Sequence, residues 1–464
     1  MKKSYIIKAV LFTLIFILLF AYISKVVTYP SDYRNYQWIG GFYEEEEESL
    51  DAVYIGSSNC YAFWNSMTAW DEYGIAVFPY SCNAMSFLAT EYLIKETRKT
   101  QPDALFVVNI NTISETTVTI EKVHHLLDYM PMSLNKLELI DALAEAGDFT
   151  TEEKMECIVP MLRYHGRWSD LSKRDFKYKV NGMKGASAYS TFLNSYVDIT
   201  DRYVLTDEKT EIPEIYAEAL ASLLDYCDEE KVKVLFVTVP RAEKDEERLS
   251  QINQLNAMIE ERGYDTLYLM DQTDEMGIDI TTDFYNRNHT NVHGSIKYTQ
   301  YLSEYLIENY GFEDKRFDEA YKSWDKGYKK YSKKIAPYVL DIELDAKHRD
   351  YSLIKPAELN AKASDEEVKL TWKAVEGAKE YAIYRKEGEK GAWQKLTVTT
   401  KTTYKDDLTI GDEFLDATAS LTATETDESQ EPTIYTYTVV PYYRQSGEKY
   451  YGNFEYLGVS VEVQ

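Results

Sequence analysis

The sequence predicts an α/β domain with a doubly wound parallel sheet, followed by an all-β sandwich and preceded by one membrane-spanning helix. Three observations support this prediction. Short apolar segments alternate with helical periodicity between residues 50 and 312, which is typical of parallel strands with helices on both faces. Period-two alternation begins after residue 355 and indicates antiparallel strands. An uncharged apolar stretch close to the N-terminus is long enough to cross a bilayer.

The composition indicates a globular protein of two domains and a connector. The chain has 464 residues, of which 44% are hydrophobic and 28% are charged. Its net charge of −27 would repel the phosphates of nucleic acid, so we expect no nucleic-acid partner. The cysteines form no CxxC pair and no metal-ligand spacing, so free buried thiols are favoured over a Cys60–Cys82 disulfide.

The N-terminal segment predicts a membrane anchor. Lysines flank an apolar stretch, residues 9–23, that carries no charge. Basic residues on the N-terminal side favour a cytoplasmic N-terminus and place the bulk of the chain outside. No small-x-small cleavage site follows the stretch, so an uncleaved signal anchor at residues 1–30 is favoured over a cleaved signal peptide. The acidic run at 44–48 predicts a solvated spacer over residues 31–49.

The apolar segments of the first domain predict its strands, and the segments between them predict helices. The continuous apolar run at 104–110 is typical of a strand buried on both faces. The predicted strands are 51–55, 75–78, 104–110, 232–239 and 266–269. The predicted helices are 88–98, 213–228, 243–262 and 294–310. Residues 113–210 are too many for a loop and are expected to form a helical insertion over the sheet.

A serine and a histidine stand where a parallel sheet usually carries its active site. Ser58 follows the first strand after Gly56, and ligands bind at the carboxyl ends of such strands. His289 lies after the last strand, just before the last helix. A serine hydroxyl becomes a nucleophile when a positioned base accepts its proton. The two residues together therefore predict a Ser–His pair.

The segments around these two residues resemble the SGNH/GDSL hydrolase superfamily. Residues 53–58, Val-Tyr-Ile-Gly-Ser-Ser, match its first block, and residues 289–294, His-Thr-Asn-Val-His-Gly, match the H-x-N-x-x-G of its last block. Residues 81–84 and the helix after them resemble the second block. The resemblance covers most of residues 50–310. It is strongest to a membrane-anchored bacterial branch similar to the teichoic-acid D-alanylation protein and to polysaccharide O-acetyltransferases.

This resemblance implies a flavodoxin-like sheet and an acyl-enzyme mechanism without cofactor or metal. Ser58 would be the nucleophile and His289 the base. The backbone N–H groups of Ser58 and Ala84, with the side chain of Asn109 or Asn111, would form the oxyanion hole. Ordinary capping of the strand end is the alternative for the two asparagines.

Three departures from the family pattern concern the groups around the pair. The acidic residue that the family places three positions before the histidine is Asn286 here, and Asp283 is the alternative carboxylate. Ala84 stands in place of the glycine of the second block. No Gly-x-Asn-Asp motif surrounds the candidate oxyanion asparagines. His293 falls on a variable position of the last block and is expected at the surface.

Further polar residues are weaker candidates for substrate binding. Arg167 and Trp168 combine a guanidinium with an aromatic ring, which could stack on a sugar or hold a carboxylate. Arg241 lies just past a predicted strand end. The adjacent His124 and His125 favour a structural role, since neighbouring residues of a helix do not converge on a metal.

The C-terminal third predicts a linker and a sandwich. Residues 313–354 are dense in charged residues and tyrosine and predict a solvated helical linker. Residues 355–464 resemble a fibronectin type III domain, with an acidic loop at 412–431. The residues that carry this resemblance are Leu370-x-Trp372, Gly377-Ala-x-x-Tyr381 and the alternating strand from Tyr435 to Val439, within predicted strands 368–372, 380–385 and 434–440.

These features together predict a membrane-anchored, extracytoplasmic serine esterase or O-acyltransferase. The resemblance implies acyl esters of cell-surface glycan or teichoic acid as substrates, and a membrane-bound O-acyltransferase as a candidate partner. The alternative is a catalytically decayed SGNH-fold surface protein that binds cell-wall glycan. Asn286 is the residue that favours this alternative, because an amide stabilises an imidazolium far less than a carboxylate does.

Overall fold

The computed structural model has the predicted architecture at the level of its main parts. It contains a five-stranded parallel sheet with helices, a C-terminal antiparallel all-β region and one N-terminal apolar helix. It describes residues 2–28, 37–114, 117–173, 175–176, 182–189, 206–241, 246–279, 283–286, 288–347, 358–364, 367–388, 393–408, 433–445, 448–452 and 458–463.

The parallel sheet aligns the carboxyl ends of its strands along one edge. Its strands are β1 (Ala52–Gly56), β2 (Val77–Ser81), β3 (Leu105–Asn109), β4 (Val234–Val237) and β5 (Thr266–Leu267). Their order is β2-β1-β3-β4-β5, and every neighbouring pair is parallel. Gly56 is in register with Ser81, and Asn109 is in register with Val237. The predicted strands all overlap these, so the residues that follow them meet at one edge.

Helices cover both faces of the sheet. The helices of this part of the chain are α2 (Ser58–Phe63), α3 (Ser66–Tyr73), α4 (Thr90–Thr97), α5 (Ile120–Leu127), α6 (Leu134–Ala146), α7 (Thr151–Ile158), α8 (Met161–Tyr164), α9 (Glu214–Glu230), α10 (Glu246–Glu261) and α11 (Val292–Tyr310). Ile55 and Phe106 share a core with residues of α4, α9 and α10. Tyr54 and Val107 share another with residues of α2 and α11. Burial on both faces explains the continuous apolar strands.

The described part of the insertion contains helices, as expected, together with an irregular segment at 182–189. Helices α5 to α8 belong to it, and Leu126, Leu139 and Cys157 join the same core as one face of the sheet. Residues 182–189 run along the domain without helix or strand, and the backbone N–H of Ser187 donates to the carbonyl of Tyr61. The described residues of the insertion are therefore packed on the domain rather than extended from it.

The predicted acidic spacer at residues 31–49 is corrected by the structure. Trp38 and Phe42 are buried in the core, and the Trp38 ring stacks on Tyr61 with a centroid distance of 3.9 Å. Glu45, within the acidic run, forms a buried ion pair with Lys184 at 2.7 Å. Residues 37–49 are thus part of the α/β domain, and residues 31–36 lie outside the described residues.

The predicted linker is also packed on the domain. A long helix, α12 (Lys322–Lys347), begins there as expected. Trp324 and Ile335 on it are buried, and the side-chain amide of Asn65 donates to the Tyr331 hydroxyl at 2.6 Å. The helical prediction is confirmed, but the first half of the helix is a packed element and not a solvated one.

The C-terminal region is all-β and antiparallel. Its strands are β8 (Asn360–Ala363), β9 (Glu367–Thr371), β10 (Glu380–Glu387), β11 (Gln394–Thr399), β12 (Thr403–Asp407), β13 (Thr433–Gln445), β14 (Glu448–Tyr451) and β15 (Val459–Val463). One sheet has the order β11-β10-β13-β14 with β15 on β13, and the other has β12-β9-β8. Leu370 and Trp372 share a core with Ile383 and Val439. The predicted acidic loop at 412–431 lies outside the described residues.

The N-terminal helix α1 (Lys2–Thr28) is long and apolar enough to cross a membrane. Its segment Tyr5–Thr28 has a mean hydropathy of 2.7, and the apolar side chains up to Ile23 are exposed. A signal sequence has the same length and composition, so this helix alone does not distinguish an anchor from a leader.

Candidate active site

Ser58 begins helix α2 directly after the carboxyl end of β1. Gly56 ends the strand, and a Cβ atom there would lie 2.6 Å from Cys60 Sγ and 2.9 Å from Asn109 Cβ. Only glycine therefore allows the chain to turn this closely against β3. The turn brings Ser58 to the edge where all five strands end.

His289 reaches the same edge on a short hairpin of β6 (Phe284–Asn286) and β7 (His289–Thr290). The Thr290 hydroxyl donates to the carbonyl of Ala62 in α2 at 2.8 Å, which fixes the hairpin on the helix that carries Ser58. Asn291 then caps α11, since its side-chain oxygen accepts from two backbone N–H groups of the first turn. A Cβ on Gly294 would collide with the Asp283 carbonyl.

Ser58 and His289 form a hydrogen-bonded pair. The Ser58 Oγ lies 2.7 Å from His289 Nε2, and His289 Nδ1 lies 2.9 Å from Asn286 Oδ1. The same Asn286 oxygen also accepts the backbone N–H groups of Asn288 and His289, at 2.9 and 3.0 Å. Two backbone N–H groups converging on one atom require it to be the oxygen, which can only accept from the ring nitrogen. Nδ1 of His289 is therefore the protonated nitrogen, and Nε2 is free to accept from Ser58.

His289 is neutral at pH 7. Burial and the nearby Arg241 guanidinium lower the pKa of its imidazole from 6.5 to about 4. Arg241 is itself buried and donates to Asn288 Oδ1 at 2.7 Å, which holds its charge beside the hairpin. A neutral imidazole with a free Nε2 is the form that can accept a serine proton.

Asp283 does not take the position of the orienting carboxylate, so that alternative is corrected. It is fully buried, and its Oδ1 lies 2.7 Å from His293 Nδ1 while its Oδ2 lies 2.7 Å from Lys297 Nζ. These partners keep its pKa low despite burial, and the Nδ1 of His289 faces Asn286 instead. His293, expected at the surface, is only partly exposed because of this contact.

Ala84 occupies the backbone conformation that its alignment with a glycine implies. Its φ angle is +51°, in the left-handed region that costs a residue with a Cβ roughly 1–2 kcal/mol. It follows β2 at the edge of the sheet where Ser58 lies. The backbone thus keeps a conformation suited to glycine although the residue is alanine.

Asn109 and Asn111 hold strand ends together, which favours the alternative of ordinary strand-end capping over a role in an oxyanion hole. The Asn109 amide donates to the Tyr54 hydroxyl at 3.2 Å. The side chain of Asn111 donates to the carbonyl of Val239 at 3.1 Å and accepts its N–H at 2.8 Å, linking the segments after β3 and β4. Both side chains are buried in these contacts. The backbone N–H groups of Ser58 and Ala84 remain as candidate donors.

Of the predicted substrate residues, the structure brings only Arg241 close to the pair. Arg167 donates to the carbonyl of Val27 at 2.5 Å and pairs with Asp175 at 2.7 Å, and Trp168 is exposed beside it. Neither has a described contact with Ser58 or His289, so their assignment to the substrate site stays a prediction.

Other predicted candidates have structural surroundings. His124 is buried and bonds Asp128 at 2.7 Å, as a structural histidine would. Cys60 and Cys82 are buried free thiols, and burial raises the pKa of both. Across the described residues, no three His, Cys, Asp or Glu side chains are grouped to hold a metal ion.

Two tyrosines beside the pair were not predicted. Tyr189 and Tyr285 stack with ring centroids 4.4 Å apart, and the Tyr189 ring centroid lies 6.4 Å from that of His289. The carbonyl of Tyr189 accepts the N–H of Val292 at 2.8 Å, which ties the insertion to the start of α11. Tyr285 immediately precedes Asn286, but nothing in the sequence pairs it with residue 189.

Comparisons with known proteins give similarity only to solved structures. No protein-family model matches the chain, and no curated protein matches it. A structure titled "Crystal Structure of FN3tt" is 17% identical, covers 24% of this chain and 91% of its own, and has a TM-score of 0.16. "Structure of FN3tt mut" is 18% identical, covers 23% of this chain and 89% of its own, and has a TM-score of 0.15. "Titin kinase and its flanking domains" is 13% identical over 24% and 17%, with a TM-score of 0.16. These values establish neither family nor function.

Proposed function

We propose that this chain is a serine esterase or O-acyltransferase of SGNH type. The observation that carries the proposal is the 2.7 Å contact between Ser58 Oγ and His289 Nε2, with Nδ1 held by Asn286. A serine, a base and a group that orients the base are the three parts of an acyl-transfer site. They come from segments 231 residues apart in the chain.

The proposed reaction proceeds through an acyl-enzyme. Ser58 Oγ attacks the carbonyl carbon of an ester while His289 Nε2 takes the hydroxyl proton, and the backbone N–H groups of Ser58 and Ala84 donate to the oxyanion. The imidazolium then gives its proton to the leaving alkoxide, which departs as an alcohol. Water or a sugar hydroxyl next attacks the acyl-serine as His289 accepts its proton, and Ser58 is regenerated with release of an acid or a new ester.

Further features support the SGNH assignment. The strand order β2-β1-β3-β4-β5 is the flavodoxin-like order, whose ligand sites lie at the carboxyl edge. Residues of the last block have physical roles in this chain: His289 faces the serine, Asn291 caps the helix and Gly294 allows close packing. The C-terminal sheets are proposed as a fibronectin type III-like sandwich that acts as a spacer or binding module.

The proposed location is the outer face of a cell membrane. Helix α1 would be an uncleaved anchor, with the basic N-terminus in the cytoplasm and the bulk of the chain outside. Acyl esters of cell-surface glycan or teichoic acid are the proposed substrates, and a membrane-bound O-acyltransferase is a candidate partner. The acidic chain argues against a nucleic-acid partner.

A decayed SGNH protein that binds cell-wall glycan is the second candidate, and Asn286 favours it. An asparagine next to the catalytic histidine is damaging in serine proteases because it selects the wrong imidazole tautomer. Here the amide oxygen faces Nδ1 and is held by two backbone N–H groups, so the required tautomer is kept. Compared with a carboxylate at this position, the amide lacks only the negative charge. This supports a slower enzyme rather than an inactive one.

Ester turnover by neighbouring serine variants tests the proposal. The full chain in detergent micelles should hydrolyse a chromogenic acetyl or butyryl ester, and Ser58→Ala should lower kcat/KM by roughly 10³-fold or more. Ser57→Ala is the matched control, since the Ser57 Oγ is buried without a hydrogen-bond partner among the described residues. Equal loss in both variants, or turnover unaffected by Ser58→Ala, would reject the catalytic role.

A further inference from the structure

The last turn of α1 is attached to the α/β domain. The side chains of Val26 and Val27 are buried, in contrast to the exposed residues before them. Arg167 donates to the carbonyl of Val27 at 2.5 Å, and the Ser24 hydroxyl lies 3.6 Å from the sulfur of Met161. An arginine on a terminal carbonyl is a favourable cap for the negative end of a helix dipole. The helix therefore leaves the domain at a fixed point.

Three exposed apolar side chains lie next to this point along the chain. Each follows directly on a residue that holds α1 or its partner: Leu162 follows Met161, Trp168 follows Arg167, and Phe176 follows Asp175, the ion-pair partner of Arg167. Their exposed fractions are 49%, 75% and 55%. Large apolar side chains grouped at one exposed place indicate a contact surface.

The length of α1 sets the depth of this surface. Residues 5–23 would span roughly 28 Å at about 1.5 Å per residue, close to the hydrocarbon thickness of about 30 Å. The attached last turn then lies at the level of the lipid headgroups, where tryptophan is favoured.

We propose that the surface formed by Leu162, Trp168 and Phe176 lies in the outer lipid–water interface beside α1. The α/β domain is then seated on the bilayer rather than held away from it by a spacer. Its occupant is the phospholipid surface that α1 itself crosses, because the three side chains flank the residues that bind α1. The inference rests on the membrane anchoring in the proposed function, and it does not depend on catalysis by Ser58.

Fluorophore depth in nanodiscs tests this seating with the full chain. Trp168→Cys and Phe176→Cys, each labelled with nitrobenzoxadiazole, are reconstituted in discs of phosphatidylcholine and phosphatidylglycerol. Leu14→Cys in α1, labelled in the same way, reports whether α1 lies in the bilayer. Phe317→Cys is the matched control, because Phe317 is 93% exposed and the nearby Lys315 donates its backbone N–H to Gly74, just before the amino end of β2. The four native cysteines are buried, and the unsubstituted chain gives the background of labelling.

The expected result is strong quenching at positions 14, 168 and 176 by nitroxide lipids, with headgroup nitroxides most effective at 168 and 176, and no quenching at 317. Quenching at 14 without quenching at 168 and 176 would overturn the proposed contact of this surface with the bilayer, although α1 would still be a membrane anchor. That result would be expected if the surface bound another protein instead. No quenching at 14 would overturn both. Ester turnover by the same samples reports separately on the proposed catalysis.

Discussion

At the scale of single residues, the contact between Asn286 and His289 sets the chemistry of the site. The amide oxygen orients the imidazole at 2.9 Å but carries no charge. Burial and Arg241 therefore lower the pKa of His289 to about 4 without opposition from a carboxylate at Nδ1. The histidine is correctly placed and neutral at pH 7, but it is a weak base. We expect slow acyl transfer that persists down to acidic pH.

Replacing this amide by a carboxylate should make the base stronger. Asn286→Asp keeps the same acceptor for the three N–H groups and adds a negative charge, which should raise the pKa of His289 by about 1–3 units. Activity requires the neutral imidazole, so it is lost as pH falls through this pKa. The acidic limb of kcat/KM should therefore move from about pH 4 to higher pH, and the rate at pH 7 should rise.

Asn309→Asp gives the matched control for the added charge. Asn309 is exposed near the end of α11, and its amide donates to the Tyr305 carbonyl, away from the hairpin. The Asn309→Asp variant should leave the acidic limb of kcat/KM at the same pH as in the parent chain. An unchanged limb in Asn286→Asp would show that His289 is not the group whose titration limits the reaction.

The contacts of individual residues could not all be predicted, because the sequence does not show in which direction a side chain points. The family spacing placed Asn286 three residues before His289, but only the fold shows which atom of the amide faces the ring. Asp283 was an equally near carboxylate in sequence. It is taken up by His293 and Lys297, two residues of the following helix whose direction no pattern gives.

At the scale of elements, the turn between β1 and α2 depends on Gly56. Gly56→Ala should lower the free energy of unfolding by about 1–3 kcal/mol, since its Cβ would overlap Cys60 Sγ and Asn109 Cβ. A movement of the chain that relieves this overlap would also displace Ser58 from His289, so ester turnover should fall as well. Denaturant unfolding followed by tryptophan fluorescence, with ester turnover on the same sample, measures both effects.

Gly166→Ala serves as the comparison for this prediction. A Cβ on Gly166 would meet nothing within 4 Å, and this position needs no left-handed backbone. Its variant should match the parent chain in stability and turnover. If Gly56→Ala also matched the parent, the close approach of β1 to β3 would not be a constraint on the site.

The elements themselves were largely predictable. Strands of a parallel sheet are buried on both faces, and their apolar runs at 51–55 and 104–110 are distinct in the sequence. The polar segments were not predictable in this way. The path of residues 182–189 beside His289, with Tyr189 stacked on Tyr285, depends on tertiary contacts that leave no periodicity.

At the scale of the whole molecule, a buried ion pair joins three distant segments. Lys184 of the insertion pairs with Glu45 at 2.7 Å and donates to Ser323 at 2.9 Å, while Trp324 donates to the same carboxylate at 3.1 Å. The acidic run around Glu45 was predicted to be a spacer because charge runs are usually solvated. The insertion and α12 instead bury this one carboxylate, which no local pattern could indicate.

Removing the cation should destabilise the domain. Lys184→Met leaves Glu45 buried without its counter-ion and should cost about 3–5 kcal/mol, seen as a lower denaturant midpoint. Lys154→Met breaks an exposed pair with Asp141 and should change the free energy of unfolding by no more than about 1 kcal/mol. Similar midpoints for the two variants would show that the three segments are not held together by this pair.

The central claim is that Ser58 is a nucleophile activated by His289, and covalent labelling tests it most directly. The full chain is treated with a fluorophosphonate, which modifies activated serines, and the labelled residue is located by peptide mass spectrometry. We expect one adduct, on Ser58, kept in Ser57→Ala and lost in His289→Ala, because only the pair joined at 2.7 Å can transfer the proton. No adduct on Ser58, or an adduct that persists in His289→Ala, would contradict the claim.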